Sequence, residues 1–529
     1  MISPNAAATA TEKLQTRAVW LRLLFPVTLS VIALLLLLQA STVLMWFDEM
    51  ATYEPAHLPR VAQTLAFFTE GFDTPSPIPA LLLRGSMGLI GDTDLKDRLI
   101  FIAFFLAACG FVYGFARRRY STGYALAAML FLAGIPVREF ALTMRAYVVL
   151  LFGAAAMMYF WQGAASGERR VLNLSGLWIS FAFAVLSHVF AIFLFVPFAI
   201  AELIRTGASP RRADRGVWGV LLTAPFSLIL LLPSMLAARA RYAHGFWSHP
   251  TLANLAQAYI APLKAQGFGL MVITVIVAIV IRKLWPGKSS QQACERDGFT
   301  RPEWVLVLGL VFLPLVGVLG ALPLGTFQPK YVLPVILGVD LALIGLAARF
   351  GACRPPVGYV IAGLFLIYAV GAQHRSLSLI RTGHFGSRLI REARSQPWMT
   401  DICASGLAVL GATPHDFFMY QHYAPPCMQS KLFYAADEQR ARSVPDLFTD
   451  EENMIWFSKF LPLKVLPFES FLAAHRDFLV FSSHTVGHAD ADWLLPELES
   501  GRDSLRVVAR KDYNSEAFGP ETLYTVRSE

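Results

Sequence analysis

The stretch PVTLSVIALLLLLQASTVLMWFDE, residues 26–49, decides the fold class. From Pro26 to Phe47 it carries no charge, and it then meets the acidic pair Asp48-Glu49. At about 1.5 Å per residue this run makes a helix about 33 Å long, which matches the hydrocarbon core of a bilayer. A secretory signal has an apolar core of only about 7–15 residues ahead of a small-residue cleavage site, so this run reads as a retained first span.

Similar runs recur at about 97–116, 122–138, 145–162, 173–189, 190–204, 217–236, 267–284, 304–322, 331–348 and 356–373, giving about eleven spans. The composition agrees. The 529 residues are 55% hydrophobic and 16% charged, against about 25% charged in an ordinary soluble domain. Disordered and fibrous classes are excluded, and the chain is expected to be mainly α, a polytopic membrane helix bundle. Its net charge of +8 fits loops on an anionic cytoplasmic face better than a nucleic-acid partner. Membrane lipids and lipid-borne molecules are the expected partners.

With the N-terminus inside, the basic groups fall on the cytoplasmic side. They are Arg117-Arg118-Arg119, Arg169-Arg170 beside Glu168, Arg205 with Arg211, Arg212 and Arg215, then Arg282, Lys283, Lys288 and Arg296, and finally Arg349 and Arg354. An odd span count then puts the external loop 48–96 and the polar tail outside. The back-to-back runs at 173–204 are where this topology is most easily inverted. The domains expected are 1–372 in the membrane and 373–529 as a small extracytoplasmic α/β domain, with β-rich stretches at 416–420, 477–481, 505–508 and 522–526.

Several chemistries fail on spacing. Gly287-Lys288-Ser289 lacks the earlier glycine of a phosphate-cradling loop. The hydrolase elbow, the zinc-protease helix motif and paired Cys-x-x-Cys are absent from the sequence. What remains is Asp48-Glu49 at the outer end of the first span, followed by Tyr53, Glu54, His57 and Arg60. Acids flanking a span can also simply mark the water interface.

The order of the elements that follow resembles the large bacterial GT-C glycosyltransferases, the group containing protein O-mannosyltransferases and the aminoarabinose transferase of lipid A. The resemblance covers about residues 20–350. After Asp48-Glu49 come the proline-rich stretch Thr74-Pro75-Ser76-Pro77-Ile78-Pro79, Gly91, the Asp97-Arg98 start of span two and the basic end Arg117-Arg118-Arg119-Tyr120. Then follow Met144-Arg145-Ala146-Tyr147, Ser187-His188 and Phe327-Gln328-Pro329-Lys330-Tyr331-Val332-Leu333-Pro334. Two departures stand out: the proline stretch lacks the family's preceding His, and Lys330-Tyr331 replaces Arg-Tyr, exchanging a bidentate fork for a point charge.

The resemblance implies an enzyme of the bacterial inner membrane. It would move a sugar from a polyprenyl phosphate donor to a lipid, glycan or protein acceptor on the outer side, by inverting displacement. A carboxylate must take the acceptor's proton while cations stabilise the departing phosphate. Asp48 is the expected base, facing a wall that carries Arg145, Lys330 or Arg138, with Tyr331 beside them. Glu49 would orient the acceptor or, with Asp48, help hold a divalent cation such as Mg or Mn; no cofactor is demanded. Tyr53, His57, Tyr147 and His188 are candidate acceptor contacts. The plainer alternatives are snorkelling for Arg138 and Arg145 with Glu139 as partner, interfacial anchoring for Lys330 and Tyr331, and interhelical hydrogen bonding for His188.

In the tail, His484, His488, Asp490 and Asp492 suit a metal by composition but match no spacing template. Of the five cysteines, only Cys403 and Cys427 are placed outside, so a bridge between them is expected. The competing function is a transporter or flippase of lipid-linked glycans. Such proteins tend toward duplicated halves and midplane charges, whereas here no repeat is found and the charges crowd the outer boundary.

Overall fold

The computed structural model describes residues 23–528, apart from positions 73, 92, 208–212, 243–247, 285–297, 445–446, 484–492, 501–504 and 516–518. Arg211, Arg212, Lys288, Arg296 and the cluster His484, His488, Asp490 and Asp492 lie outside the described residues.

Eight helices among the described residues are long and apolar enough to cross a membrane: Leu23–Ala40, Asp94–Arg117, Ala146–Ala165, Arg170–Ser187, Val189–Thr206, Arg215–Arg241, Leu252–Leu284 and Pro355–Thr382. A ninth is the pair Arg301–Val311 and Leu313–Ala321, bent by 50°. Pro314 opens its second half, where a missing amide hydrogen and a ring clash break the ladder. Eleven spans are therefore not met by length. Thr122–Gly134 has 13 residues and stops ahead of Pro136, and Val335–Phe350 has 16 and begins only after Pro334, both short of a core about 30 Å thick. Apolar side chains such as Leu34, Phe226, Leu230 and Val272 stand exposed around the bundle, as lipid contact requires. Inside it, Pro355–Gly371 packs on Thr122–Gly134 through facing glycines. A β-carbon on Gly123 would come 2.7 Å from the Tyr359 backbone nitrogen, and one on Gly358 2.5 Å from that of Tyr124, so only glycine permits this approach.

The first span ends at Ala40, not Phe47, and a separate helix, Phe47–His57, follows. Arg98 explains the break. Its Nη1 donates to the carbonyls of Val43 at 2.7 Å and Ala40 at 3.4 Å, which otherwise would be orphaned at a helix end.

The 24-residue helix Asp94–Arg117 fixes the two sides of the bundle, because its start meets Glu49 through Arg98 and its end leads into Arg118 and Arg119. At that second end, Arg119 pairs with Glu303 at 2.8 Å, Arg205 pairs with Glu202 and Asp214 at 2.6 and 2.7 Å, and Arg170 also holds Asp214. The tail sits at the other end, where Tyr423 Oη accepts from the Met45 amide at 2.8 Å. The loop after the first span and the tail thus share one side, opposite these basic groups.

The tail carries a six-stranded sheet in the order β3-β2-β1-β4-β6-β5, formed by β1 (Ala408–Gly411), β2 (Leu432–Ala436), β3 (Val465–Pro467), β4 (Asp477–Ser483), β5 (Leu505–Ser515) and β6 (Gly519–Ser528). The first four are parallel, and β6 runs antiparallel to both β4 and β5. Residues 416–420, expected as strand, are instead inside the helix Pro414–Tyr423. Thr413 caps it by accepting from the Asp416 amide, and Pro414 takes the first position, where no amide hydrogen is needed. One buried core runs without interruption from Ile32 and Phe101 in the spans, through Phe67 in the segment after the first span, to Phe418, Phe457 and Trp398 in the tail. Each such Phe contributes about 2 kcal/mol by burial, and so the tail is anchored to the bundle. A smaller core of Leu410, Phe478, Val480 and Trp493 fills another part of the tail. A disulfide joins Cys403 to Cys427; Cys353, placed among the basic groups by the sequence, is also disulfide-bonded.

Candidate functional site

Asp48 lies in the first turn of Phe47–His57, and Glu49 follows it. Successive helical residues diverge by about 100°, so the two carboxylates part company. Asp48 faces a cleft of about 480 Å³, part of it open to solvent. Glu49 turns away into the protein and accepts both arms of the Arg98 guanidinium, at 3.2 and 3.1 Å, and the Trp46 amide at 3.2 Å. Both partners are buried, at 1% and 0% exposed. Glu49 is a structural counter-ion and does not line the cleft. Glu49→Gln should therefore destabilise the chain by about 3–5 kcal/mol, the cost of a buried cation left without its partner. The check is a lowered unfolding midpoint of the Glu49→Gln chain in nanodiscs.

The cleft brings together Asp48, Arg145, Tyr147, Lys330 and Tyr331. Arg145 stands at the N-cap position of the helix Ala146–Ala165, its side chain turned away from the helix amides, and donates from Nη1 to the Asp48 carbonyl at 2.9 Å. Lys330 comes from the short turn Pro329–Val332 and meets Asp48 Oδ2 at 3.2 Å, with Lys330 25% and Asp48 23% exposed. Its Nζ also lies 5.1 Å from the centre of the Tyr147 ring, a cation–π distance. Burial alone would raise the Asp48 carboxyl. The charges of Lys330 and Arg145, with His415 of the tail adding to them, outweigh it and hold Asp48 well below the usual carboxylate range. Burial likewise pulls Lys330 down, and Asp48 reverses this, so the ammonium is kept protonated. Lys330 therefore touches the carboxylate itself and Arg145 holds the Asp48 backbone carbonyl, a correction to the expectation that these cations stand across the cleft from the base.

Other expected residues fall elsewhere. Arg138 turns back to the Gly134 carbonyl at 2.5 Å and to Gln39 at 3.4 Å, outside the cleft. Glu139 pairs with Lys264 at 3.1 Å rather than with either neighbouring arginine. His188, between two spans, sits behind the lining, its ring 4.8 Å from Tyr331 and 5.9 Å from Tyr147. Its Nδ1 accepts from the Phe190 amide at 3.3 Å. Burial, then the nearby Arg145 and Lys330, push it down to about 3, so it is neutral. The Tyr53 and His57 rings meet at 3.9 Å, tilted by 41°, with the His422 ring of the tail edge-on to Tyr53, and neither residue lines the cleft. A divalent cation at Asp48 and Glu49 does not fit, since each carboxylate is committed to a different cation and the two do not converge. Among the described residues no group of three His, Cys, Asp or Glu could hold a metal.

The sequence did not single out four polar lining residues as contacts. Thr74 and Gln328 lie within quoted stretches, and the Gln328 Nε2 is buried without a hydrogen-bond partner, a group whose desolvation costs about 1–3 kcal/mol. Asp450 and Asn453 come from the tail helix Leu447–Phe460, far along the chain from the others.

A family model, dolichyl-phosphate-mannose-protein mannosyltransferase, matches residues 73–236. Among solved structures the chain is similar to ArnT from Cupriavidus metallidurans in the apo state, with 15% identity and a TM-score of 0.53 over 96% of this chain and 98% of that one. It is similar also to ArnT from the same organism bound to undecaprenyl phosphate, with 16% identity and a TM-score of 0.53 over 94% and 97% of the two chains. No curated protein sequence matches significantly. The shared fold spans both the membrane helices and the tail.

Proposed function

We propose, proceeding from this chain's place in the GT-C superfamily of membrane glycosyltransferases, that it transfers a sugar from a polyprenyl phosphate to an acceptor hydroxyl on the tail side of the membrane. The observation that carries this is Asp48 held against Lys330 and Arg145 in one cleft beside the first span. A carboxylate is what an acceptor hydroxyl needs as base, and two cations are what a departing phosphate needs. Undecaprenyl phosphate in the similar ArnT structure supports a lipid-phosphate donor here.

In the reaction the acceptor oxygen forms a bond to the anomeric carbon as its proton passes to Asp48. The bond from that carbon to the phosphate oxygen breaks, and the electron pair leaves with the polyprenyl phosphate. Lys330 and Arg145 stabilise that charge, and the Gln328 amide stands beside them. Asp48 is a weak base while it holds Lys330. A phosphate that draws Lys330 to itself raises the basicity of Asp48 and opens the space between base and cation that an in-line, inverting displacement needs. The base is thus switched on by the donor. The lysine, arginine and carboxylate carry every step, with none routed through a metal.

The basic groups at the end of the bundle opposite the tail support a cytoplasmic assignment for that end and an outer-face location, in a bacterial inner membrane, for the cleft. The test is label transfer from a panel of polyprenyl phosphate sugars by the full chain in nanodiscs supplied with envelope lipid and glycan acceptors. One donor class should yield labelled product, with anomeric configuration inverted. No transfer from any donor would remove the proposal.

A further inference from the structure

The tail contributes its own wall to the cleft. Asp450, Asn453 and Phe457 line it from the helix Leu447–Phe460, and spacings of three and four residues set them on one face. That helix is fixed to the membrane domain. Tyr242 Oη donates to Asn453 Oδ1 at 2.6 Å, the Trp456 indole donates to the Phe67 carbonyl at 3.3 Å, and the Arg241 guanidinium lies 3.9 Å from the Trp456 ring centre. A wall held at three points is preorganised for a ligand.

Its chemistry differs from that of the Lys330 and Arg145 group. The Asp450 carboxylate accepts hydrogen bonds from hydroxyls, while Asn453, its Oδ1 taken by Tyr242, and the buried Phe457 ring shape the wall behind it. Among the described residues, the charges lining the cleft are two cations, Arg145 and Lys330, and two carboxylates, Asp48 and Asp450. The donor phosphate engages both of these cations, so a second phosphate, on the acceptor, would meet the Asp450 carboxylate. Resting on the glycosyl-transfer proposal above, we infer that Asp450, with Asn453 and Phe457, forms the acceptor subsite, and that it takes the neutral polyhydroxy face of a sugar-bearing acceptor in preference to a phosphorylated one.

The test uses the full chain in nanodiscs, the donor found by the panel, and two acceptor probes below their micellar concentrations: octyl glucoside and octyl glucoside 6-phosphate. The wild type should favour the neutral probe at least tenfold in kcat/KM. Asp450→Asn should raise the KM for that probe about tenfold and leave the donor KM within twofold, and Asp450→Lys should reverse the preference. Three results overturn the inference: an unchanged acceptor KM in Asp450→Asn, a rise in its donor KM instead, or a wild type that prefers the phosphorylated probe or uses neither. Each of these leaves donor-dependent labelling of the envelope acceptors intact. Loss of that labelling in the wild type would instead remove the glycosyl-transfer proposal, and the subsite with it.

Discussion

Asp48→Asn should lower kcat about 10³-fold, within the 10²–10⁴ range that a positioned general base supplies, while binding undecaprenyl phosphate more tightly than the wild type. The two effects have one origin. The amide keeps the size of the carboxyl, so the cleft keeps its shape, but it takes no proton from the acceptor. It also holds Lys330 only as a neutral acceptor, without the ion pair that in the wild type sets the ammonium on Asp48 Oδ2 at 3.2 Å and that a phosphate must break. Transfer kinetics with a saturating donor measure the first effect, and thermal stabilisation by undecaprenyl phosphate measures the second. A variant that transfers at the wild-type rate would remove Asp48 as base. One that binds the lipid phosphate less tightly would show that Asp48 positions the donor rather than competing for its lysine.

Span ends are where the sequence speaks most clearly, because a charge beside an apolar run needs a hydrated or paired place to sit. Asp48, Arg145 and Lys330 all carry that signal, and the structure gathers them into one cleft. The same signal does not say which way a side chain turns. Arg138 sits at a span end as Arg145 does, yet it folds back on the Gly134 carbonyl. Glu49 neighbours Asp48 in sequence but not in direction, and its partner Arg98 lies 49 residues on. The helix Leu447–Phe460 offers no local clue at all: Asp450 and Asn453 become lining residues only when Trp456 and Asn453 dock on helices some two to four hundred residues earlier. Residues 416–420 misled because an aromatic run fits a strand, whereas the Thr413-Pro414 cap ahead of them starts a helix. Proline likewise decided the span count, by shortening two apolar runs below bilayer length.

Lys330→Met should weaken undecaprenyl phosphate binding about 100-fold, near the upper worth of one charge-assisted contact, about 1.5–3 kcal/mol. It should also change the pH dependence of transfer. Burial pushes the Asp48 carboxyl up, and Lys330, Arg145 and, less strongly, His415 pull it down. In the wild type the pull wins. The free chain therefore keeps Asp48 ionised below the ordinary aspartate value of about 3.9, and kcat/KM should show no acid limb above that pH. Without Lys330, Arg145 and the weaker His415 are left to oppose burial, so the carboxyl rises and kcat/KM falls as pH is lowered, from a higher pH than in the wild type. Stability moves with it: a carboxyl held below its unfolded value adds stability above that value and loses it as pH falls through the lowered one, so the variant gives up that contribution at a higher pH. Lys330→Arg separates charge from shape. It should restore the flat acid side of the profile and most of the lipid-phosphate affinity, because a guanidinium keeps the positive charge beside Asp48. An acid limb that stays in place when Lys330 is replaced by Met would mean that Arg145, with His415, governs the carboxylate without the lysine, and the coupling of donor binding to base activation would then have to run through that arginine.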